Sequence, residues 1–567
     1  MFKIESSKSG LPFAICHGRH LHSAYDPQRE ARKFVSTQIG DRNPDTAIVV
    51  GAGLGYIGAE LRRRGVFTVQ VFLSASTYSA ATERGDVAWW PEGDIHREGA
   101  TDSPTDTREA VRNDASLRAF LRSVLSDTDA AGLEVLSWTP CMEAFPEEAE
   151  NALASVADVV RESNANLTTI SAFGPRWFRN ICANFRDTQA VRSSASSCRH
   201  VVIAAAGPSL EAAIPALQEL YHLNAEIWAV GTALRPLAAA GIQPSLVITT
   251  DAGYYALEHL NAVRGSSEFC IAAPLSAARG VTRRGSGLLL LNQGSIIERE
   301  LFENCRLPAT FLPANGTVAG TALELALRVS SGHVVLVGLD LGYRDVQPHA
   351  RPHSFEHYLE RKESRLHPLY GMFVARALEH SSRVSDRRRT TRQLETYAGW
   401  FRRRISQLRP RVLTLGPSAL ELGAPHITHA ELMALAKEHK LAPTGTNQTQ
   451  THAPQDSTGA WTASLTEHER TVALSSMLHA LELRLERVAA VTTREEFQSL
   501  LHPQRFQASQ AGSGASPDDL QLLAYLNCPG VLNCIRQTSP AAFREELSDA
   551  VETARTLLNE QKRDRAS

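Results

Sequence analysis

The chain alternates between short apolar runs and longer segments with apolar residues three and four positions apart. Short runs of Val, Ile, Leu and Ala occupy 201–206, 227–230, 246–249, 269–273, 288–291 and 334–337. Their length and their Gly, Pro or Asp boundaries predict buried strands. Helical spacing is clearest between them at 318–329. This alternation predicts a parallel sheet covered by helices on both faces.

The run at 201–210, VVIAAAGPSL, leads from a predicted strand directly into Gly207, Pro208 and Ser209. Gly207 allows a tight turn and a close approach of the backbone to a ligand. Ser209 is a typical N-cap residue, so it predicts a following helix whose free N–H groups face a phosphate. An ordinary strand-to-helix corner is the competing interpretation.

Further polar residues follow the predicted strands. Ligands of parallel α/β sheets bind at the carboxyl ends of the strands. Gly207, Asp251 and Asp340 stand at that end, and Asn315 and Gly316 precede the helix at 318–329. We therefore expect these residues to line one crevice.

Four segments of the central part of the chain form a recognisable set: AAAGPSL at 204–210, TALRPLAAAGIQPSLVITTD at 232–251, GTVAGTALELALRV at 316–329 and VVLVGLDLGY at 334–343. In this order and spacing they resemble the motility accessory factor (Maf) family of bacterial flagellin glycosyltransferases. LHSAYDPQREA at 21–31, DTAIVVGAGLGY at 45–56 and FGPRWFRNICANF at 173–185 are similar to further parts of that family. The resemblance covers about residues 15–430. The family's central domain is similar to archaeal 6-hydroxymethylpterin diphosphokinase and to bacterial sialyltransferases.

The resemblance implies a cytoplasmic transferase that moves a nonulosonic acid, of the pseudaminic or legionaminic type, from its CMP-activated form to Ser or Thr of flagellin. It also implies nucleotide-binding roles for Gly207, Pro208, Ser209, Thr232 and Asp251. Asn315 and Gly316 join this set because of their expected place in the crevice, and Tyr343 because it could steady the leaving phosphate together with Arg344. Asp340 would hold the ribose or organise the site, and a buried structural carboxylate is the alternative for it.

Transfer from a CMP sugar needs a base for the attacking hydroxyl and donors for the leaving phosphate. His349 is the candidate for the base or a phosphate contact, because His349-Ala350 resembles a His-Ala pair of the family. His353 and His357 follow at intervals of four. That spacing also suits a solvated helix face or a metal site.

Two places depart from the family pattern. Leu339 stands where the family usually has Gln, and SALELGAPHI at 418–427 replaces an Asn-x-x-Glu-Gly-Gly run. Glu421 keeps its place in that run and joins Asp340 and His349 as a catalytic candidate. Ser418 replaces the Asn and Leu422 the first Gly. A pterin-type diphosphokinase using ATP and Mg²⁺, or a non-catalytic flagellin-binding protein, are the alternative functions.

Three other motifs have weaker functional interpretations. GAGLGYIG at 51–58 resembles a dinucleotide-binding loop, but the next predicted strand ends without an acidic residue, which favours a Rossmann-like fold without a dinucleotide. Asp127-Thr128-Asp129 matches a DxD metal motif in form, and we interpret it as a surface loop. Eight arginines between Arg383 and Arg404 suit a solvated face or the attraction of an anionic sugar nucleotide.

Composition narrows the function classes. The 567 residues, 43% of them apolar, suffice for two or more cores. Eight scattered cysteines without a CxxC pair predict reduced cytosolic thiols and argue against a zinc site. A net charge of −2 favours neither nucleic acid nor a membrane surface as partner. The sequence predicts no membrane span, signal peptide, metal or cofactor.

The expected fold class is α/β. We predict an N-terminal α/β domain at 1–165, a Rossmann-like parallel-sheet catalytic domain at 166–440, a flexible linker at 441–460 and a helical C-terminal domain at 461–567. The linker is predicted from a segment rich in Thr, Gln, Pro and Gly. The C-terminal domain is predicted from helical apolar spacing.

Overall fold

The computed structural model describes residues 2–40, 44–91, 116–192, 200–261, 269–305, 307–379, 381–385, 387–408, 411–438, 462–501, 513–537 and 539–563. The chain groups into two compact units, Met1–Gly174 with Leu483–Leu557, and Pro175–Glu482 with Leu558–Ser567. The predicted linker at 441–460 lies outside the described residues. The domain boundaries drawn from sequence pattern stay a prediction.

The front part of the chain forms a small antiparallel sheet, a small parallel sheet and flanking helices. Its elements are β1 (Phe2–Ser6), β2 (Pro12–Cys16), β3 (Arg19–His20), α1 (Pro27–Ile39), β4 (Thr46–Val50), α2 (Tyr56–Arg63), β5 (Phe67–Val71), α3 (Ala75–Ala80), β6 (Val87–Trp89), α4 (Leu117–Val124), β7 (Leu133–Ser137), α5 (Thr139–Ala144) and α6 (Pro146–Asp187). The antiparallel sheet consists of β1, β2 and β3. The parallel strands have the order β6-β5-β4-β7. Every residue of β4 is buried, as a central strand covered on both faces requires.

The glycine-rich turn after β4 is filled by the protein itself. His22 Nε2 accepts a hydrogen bond from the Leu54 N–H at 2.9 Å, and a Cβ on Gly53 would lie 2.3 Å from that nitrogen. A Cβ on Gly55 would lie 1.7 Å from the carbonyl oxygen of Glu83. The glycines therefore allow close packing around β4, and the Leu54 N–H is not available to a phosphate.

The interpretation of Asp127-Thr128-Asp129 as a surface loop is wrong for Asp129. Its carboxylate is 4% exposed and accepts from the Thr46 hydroxyl at 2.9 Å. It also accepts from the N–H and the hydroxyl of Ser126, at 2.7 and 2.8 Å. The acid is buried because it ties the turn at 127–131 to the start of β4.

The central part of the chain is built on a large sheet. Its elements are β8 (Ala190–Arg192), β9 (Val201–Ala204), α7 (Leu210–His222), β10 (Ile227–Val230), α8 (Leu234–Ala239), β11 (Leu246–Ile248), α9 (Tyr255–Asn261), β12 (Cys270–Pro274), β13 (Gly287–Asn292), α10 (Ile296–Cys305), β14 (Thr310–Phe311), α11 (Val318–Val329), β15 (Val334–Val337), β16 (Tyr343–Arg344), α12 (Ser354–Glu360), α13 (Leu369–Glu379), β17 (Ser382–Ser385), β18 (Arg388–Thr390), α14 (Arg392–Ser406), β19 (Val412–Leu415), α15 (His429–Glu438) and β20 (Thr462–Ser464). The remaining elements are α16 (Glu467–Ala489), α17 (Arg494–Leu501), α18 (Pro517–Arg536) and α19 (Pro540–Arg563).

The large sheet has the order β19-β15-β9-β10-β11-β12-β13-β8-β20, with β14 beside β13. Its strands run parallel except β20, which pairs antiparallel with β8. From β9 the next four strands add on one side, whereas β15 and β19 lie on the other. Such a reversal of strand order opens a crevice at the carboxyl ends, here between β9 and β15. The predicted α/β class with a parallel central sheet is confirmed.

The arginine-rich segment between Arg383 and Arg404 is divided between β17, β18 and α14. β16, β18 and β17 form a small antiparallel sheet that the sequence pattern did not predict. Among the described helices, none combines the length and the apolar composition needed to cross a bilayer.

Candidate functional site

A direct contact joins the ends of β9 and β15 at the crevice. The Ser209 N–H donates to Asp340 Oδ2 at 2.8 Å, and the Ser209 hydroxyl donates to Asp340 Oδ1. The Gly207 N–H donates to the Gly338 carbonyl at 2.7 Å. A Cβ on Gly207 would lie 2.5 Å from Asp340 Cγ. Position 207 must therefore be glycine, because the two strand-end turns interlock there.

Ser209 stands at the N-cap position of α7, as predicted, but its hydroxyl does not cap the helix. Ser209 has φ −68° and ψ −17°, within the helical region, and its side chain makes no capping hydrogen bond. Its N–H and its hydroxyl both donate to Asp340, since an ionised carboxylate is the stronger acceptor. The Ser209 N–H is therefore engaged within the protein in this conformation.

Asp340 is half-buried and held from several sides. Burial raises its pKa above the usual range, although the hydrogen bonds from Ser209 and the charges of Arg388 and Arg344 act in the opposite direction. Its backbone carbonyl accepts from the Ala419 N–H at 2.6 Å. The hydroxyl of Ser418 also donates to that carbonyl, at 2.9 Å. Asp340 thus organises the strand ends.

The segment SALELGAPHI at 418–427 lies beside Asp340. Ser418 contacts the Asp340 backbone as described above. Leu422 is 5% exposed and packs in the core of the central sheet. Glu421 is exposed in the loop after β19. Of these two neighbours, Leu422 therefore belongs to the core and Glu421 faces solvent.

His349 lies in the connection that leaves β15 and passes the end of β9. The Ala350 N–H donates to the Ala206 carbonyl at 2.8 Å, and Ala350 is fully buried. Gln347 Nε2 donates to the His349 carbonyl at 2.8 Å. The half-buried His349 ring stacks on His353, with 4.3 Å between centroids and 27° between planes. Backbone hydrogen bonds thus place His349 beside the crevice.

Glu211, in the first turn of α7, holds the same connection. Its carboxylate accepts from Gln347 Nε2 at 2.5 Å, and from Arg344 Nη2 and the Arg351 N–H at 2.9 Å each. Burial would raise the pKa of Glu211, but these hydrogen bonds and the Arg344 charge outweigh it and lower the pKa. Glu211 was not among the predicted site residues, although it is an acid two positions after Ser209.

A row of imidazoles links His349 to the end of β11. His353 is 6% exposed, and its ring centroid lies 5.3 Å from that of His259 on α9. Burial lowers the pKa of His259, while the charges of Asp251 and Glu258 oppose that effect. Asp251 is exposed and accepts from the Gly253 N–H at 2.8 Å. The side chain of His357 lies outside the described residues.

Another group of candidate side chains lies around Tyr397 of α14. A Cβ on Gly316 would lie 3.6 Å from Tyr397 Cε1. Burial raises the pKa of Tyr397, and the charge of Asp251 adds to that rise. Asn315 Oδ1 accepts from the Thr317 N–H at 3.2 Å, and its Nδ2 is buried without a hydrogen-bond partner among the described residues. Sequence analysis named Tyr397 only as an aromatic within the arginine-rich segment.

The structure does not bring all predicted site residues together. β15 and β11 are separated by β9 and β10, so the strands before Asp340 and Asp251 are roughly 14 Å apart at ordinary strand spacing. Thr232 is half-buried in the turn after β10, between them. Tyr343 is half-buried in β16 and pairs with Arg389. The described residues include no cluster of three His, Cys, Asp or Glu side chains suited to a metal.

Two buried asparagines of α6 fix the loops at this edge. Asn180 Nδ2 donates to one carbonyl in each of the turns after β11 and β12, both at 3.1 Å. Asn184 Nδ2 donates to the Leu275 and Ala277 carbonyls, both at 2.9 Å, and its Oδ1 accepts from the Gly280 N–H at 2.8 Å. Their spacing of four puts them on one face of the helix, a signal that sequence analysis did not use.

Parts of the chain are similar to a known protein family and to a bacterial protein. A family model described as 6-hydroxymethylpterin diphosphokinase MptE-like matches residues 176–346. An uncharacterized protein of Treponema pallidum (strain Nichols) is 26% identical over 297 residues, which form 52% of this chain and 62% of that protein. The matched region thus spans less than two thirds of that relative's length.

The solved structure of the MAf glycosyltransferase from Magnetospirillum magneticum AMB-1 is similar to the whole chain. The TM-score is 0.62 at 13% sequence identity, and the match covers 99% of this chain and 92% of that protein. The resemblance predicted from the sequence is thereby confirmed at the level of the fold. The chain has the fold of a MAf glycosyltransferase, with an MptE-like region at its centre.

Proposed function

We propose that this chain is a glycosyltransferase that moves a nonulosonic acid from its CMP-activated form to a Ser or Thr hydroxyl of flagellin. The observation that carries the proposal is the match of nearly the whole chain to the MAf glycosyltransferase fold. The donor sugar and the acceptor follow from the family resemblance. The described cysteines are free thiols, which suits a cytoplasmic reaction.

The nucleotide of the donor is proposed to lie along the carboxyl ends of β9, β10 and β11. The strands that precede Ser209 and Asp251 are roughly 10 Å apart, a span that fits a nucleotide rather than a single ion. Thr232 lies between them. The Nδ2 of Asn315, which has no hydrogen-bond partner within the described ranges, supplies a donor at the same edge.

In the proposed reaction the bond between the anomeric carbon and the phosphate oxygen breaks, and its electron pair leaves with CMP. The acceptor hydroxyl oxygen forms the new bond to that carbon, and its proton passes to the imidazole of His349. Arg344 and Arg388, whose charges reach Asp340, stabilise the negative charge that develops on the phosphate. Asp340 acts as a positioning residue, since both of its carboxylate oxygens accept from Ser209. Glu421 is proposed on the acceptor side, where it is exposed.

The MptE-like match favours a second candidate, a pterin-type diphosphokinase that uses ATP and Mg²⁺. Such an enzyme needs carboxylates grouped around the metal. Asp251 and Asp340 follow strands roughly 14 Å apart, and Ser209 engages both Asp340 oxygens. This separation favours the glycosyltransferase.

Calorimetric titration of the full chain with CMP, and with ATP plus Mg²⁺, tests nucleotide choice. We expect saturable CMP binding without Mg²⁺ that is lost in Ser209→Trp, because an indole cannot fit against Asp340. Thr168→Trp, at an exposed position of α6, is the control and should bind CMP normally. Selective binding of ATP with Mg²⁺ would favour the diphosphokinase, and no nucleotide binding would favour a non-catalytic flagellin-binding protein.

Transfer itself is tested by incubating the chain with flagellin and a CMP-activated nonulosonic acid. Intact-mass spectrometry should show flagellin gaining whole sugar units, and His349→Asn should slow that gain by about 100-fold or more if the imidazole is the base. Unmodified flagellin in the presence of demonstrated CMP-sugar binding would contradict the proposed acceptor.

A further inference from the structure

A cavity lined by arginines lies in the connection between β12 and β13. It has a volume of about 410 Å³ and is lined by Arg279, Gly280, Arg283 and Arg284. None of these residues belongs to the crevice between β9 and β15. The cavity is thus a separate feature of the central part of the chain.

The backbone that carries these arginines is held in place by hydrogen bonds at both ends. The Gly280 N–H donates to Asn184 Oδ1 at 2.8 Å, and the Ala278 N–H donates to the Asp251 carbonyl at 2.9 Å. At the other end, the Ser286 N–H donates to the Phe269 carbonyl at 3.0 Å. The arginines are therefore presented on a fixed loop, and a ligand does not have to order it.

The positive charge in the cavity is only partly compensated. Arg283 Nη2 donates to Asp187 Oδ2 at 2.5 Å. Within the described parts of the chain, Arg279 and Arg284 take part in no salt bridge. The Nε of Arg284 and the hydroxyl of the adjacent Thr282 are buried without a hydrogen-bond partner among the same residues. The loop therefore presents two guanidinium groups, of Arg279 and Arg284, without a carboxylate partner among the described residues.

Two guanidinium groups without a carboxylate partner leave a positive charge that a bound anion would neutralise. The planar fork of arginine matches the oxygens of a phosphate, and two cations suit a dianion. The cavity is open to the surface, and its volume of about 410 Å³ exceeds the needs of one phosphate. We propose that Arg279, Arg283 and Arg284 bind the phosphate of a small phosphate monoester. This proposal does not depend on the proposed transferase function.

Calorimetric titration of the full chain at low, constant chloride tests the site with three probes: ribose 5-phosphate, inorganic phosphate and uncharged ribose. We expect saturable binding of ribose 5-phosphate and none of ribose. Arg284→Met should weaken ribose 5-phosphate binding at least tenfold, with Arg284→Lys between it and the unmodified chain. Tighter binding of inorganic phosphate than of the ester would overturn the assignment to a monoester.

Arg328→Met is the matched control, because Arg328 is exposed on α11 and its loss changes the net charge equally. It should leave binding unchanged. Equal weakening by Arg328→Met would show general charge attraction and overturn the site. If Arg284→Met does not fold, the exposed Arg279→Met provides the same test. Binding that is lost only in Ser209→Trp would place the phosphate in the crevice and also overturn the proposal.

Discussion

At the scale of single residues, the site depends on how closely two turns approach each other. The interlock of Gly207 and Ser209 with Gly338 and Asp340 leaves no space for a side chain at position 207. A residue with a Cβ there must displace either the carboxylate or the backbone of the turn. A larger residue at position 207 would therefore change both the stability of the chain and the geometry of the site.

Gly207→Ala is expected to destabilise the chain by about 2–4 kcal/mol. This range combines the cost of overpacking with the cost of a lost hydrogen bond. The reason is that the new Cβ would lie 2.5 Å from Asp340 Cγ and 2.6 Å from the Gly338 carbonyl. Gly231→Ala is the control, because its Cβ would meet nothing closer than 3.8 Å. Urea denaturation measures both variants, and equal midpoints would contradict the interlock.

Glu298 is a second residue whose environment has a measurable consequence. It is 1% exposed at the start of α10, and burial raises its pKa to about 7 despite hydrogen bonds from Ser295 and the Gln293 N–H. Because the folded state holds the proton more tightly than the unfolded state, the resulting stabilisation is present below pH 4.5. It is lost as the pH rises through about 7.

The Glu298→Gln variant is therefore expected to have the same free energy of unfolding as the unmodified chain at pH 4.5. At pH 8.5 its free energy of unfolding should be higher by on the order of 3 kcal/mol. Glu431→Gln is the control, because the pH dependence of stability at Glu431 has the opposite sign. Hydrogen bonds from the N–H and hydroxyl of Thr428 lower the pKa of Glu431, so its stabilisation is present above pH 4.5. Thermal unfolding from pH 4 to 9 measures both, and a pH-independent difference for Glu298→Gln would contradict the assignment.

At the scale of elements, α6 contributes to the site through polar groups. Asn184 is fully buried and satisfies three backbone groups of the loop after β12. That loop also holds the Asp251 carbonyl through the Ala278 N–H. A helix outside the sheet therefore determines where a candidate nucleotide-binding residue stands.

Asn184→Ala is expected to destabilise the chain by about 3 kcal/mol, because it leaves buried carbonyls and an N–H unpaired. If the proposed CMP site is correct, CMP binding should weaken as well, since the loop next to Asp251 loses its anchor. Asn166→Ala, at an exposed position of the same helix, should change stability by less than about 0.5 kcal/mol. Indistinguishable unfolding of the two variants would show that the loop does not need its asparagine.

At the scale of the whole molecule, the first unit is built from two separate stretches of chain. Described residues of the stretch at 483–557 form hydrogen bonds with described residues of the stretch at 1–174. Arg494 Nη2 and Gln498 Nε2 both donate to Asp45 Oδ1, at 3.0 and 2.5 Å. The Cys528 thiol donates to the Leu167 carbonyl at 3.8 Å. The helical C-terminal part is therefore integral to the unit that contains β4.

A chain ending at residue 440 is expected to lose stable structure in the first unit. Amide hydrogen exchange in β4 should accelerate by at least about 100-fold, because the unit lacks one of its two stretches. Deletion of 441–460 alone is the control and should leave exchange in β4 unchanged. Equally slow amide hydrogen exchange in β4 of the shortened chain would support the predicted domain boundary at 440.

The sequence by itself determined where the regular elements of the central sheet lie. β10, α11 and β15 have the bounds that their apolar patterns predicted, because a buried strand or an amphipathic helix requires a local periodicity. The parallel arrangement follows from the alternation of these elements. The same pattern indicated that Gly207, Asp251 and Asp340 follow strands at one edge of the sheet.

Only the tertiary structure decided which groups contact one another. Ser209 looks like a helix cap locally, yet its donors go to a carboxylate 131 positions away. The glycine turn after β4 is filled by His22, and the loops at the sheet edge are held by asparagines of α6. Hydrogen-bond partners of this kind depend on strand order and on the close approach of distant turns. Local sequence periodicity predicts neither the strand order nor which turns approach each other.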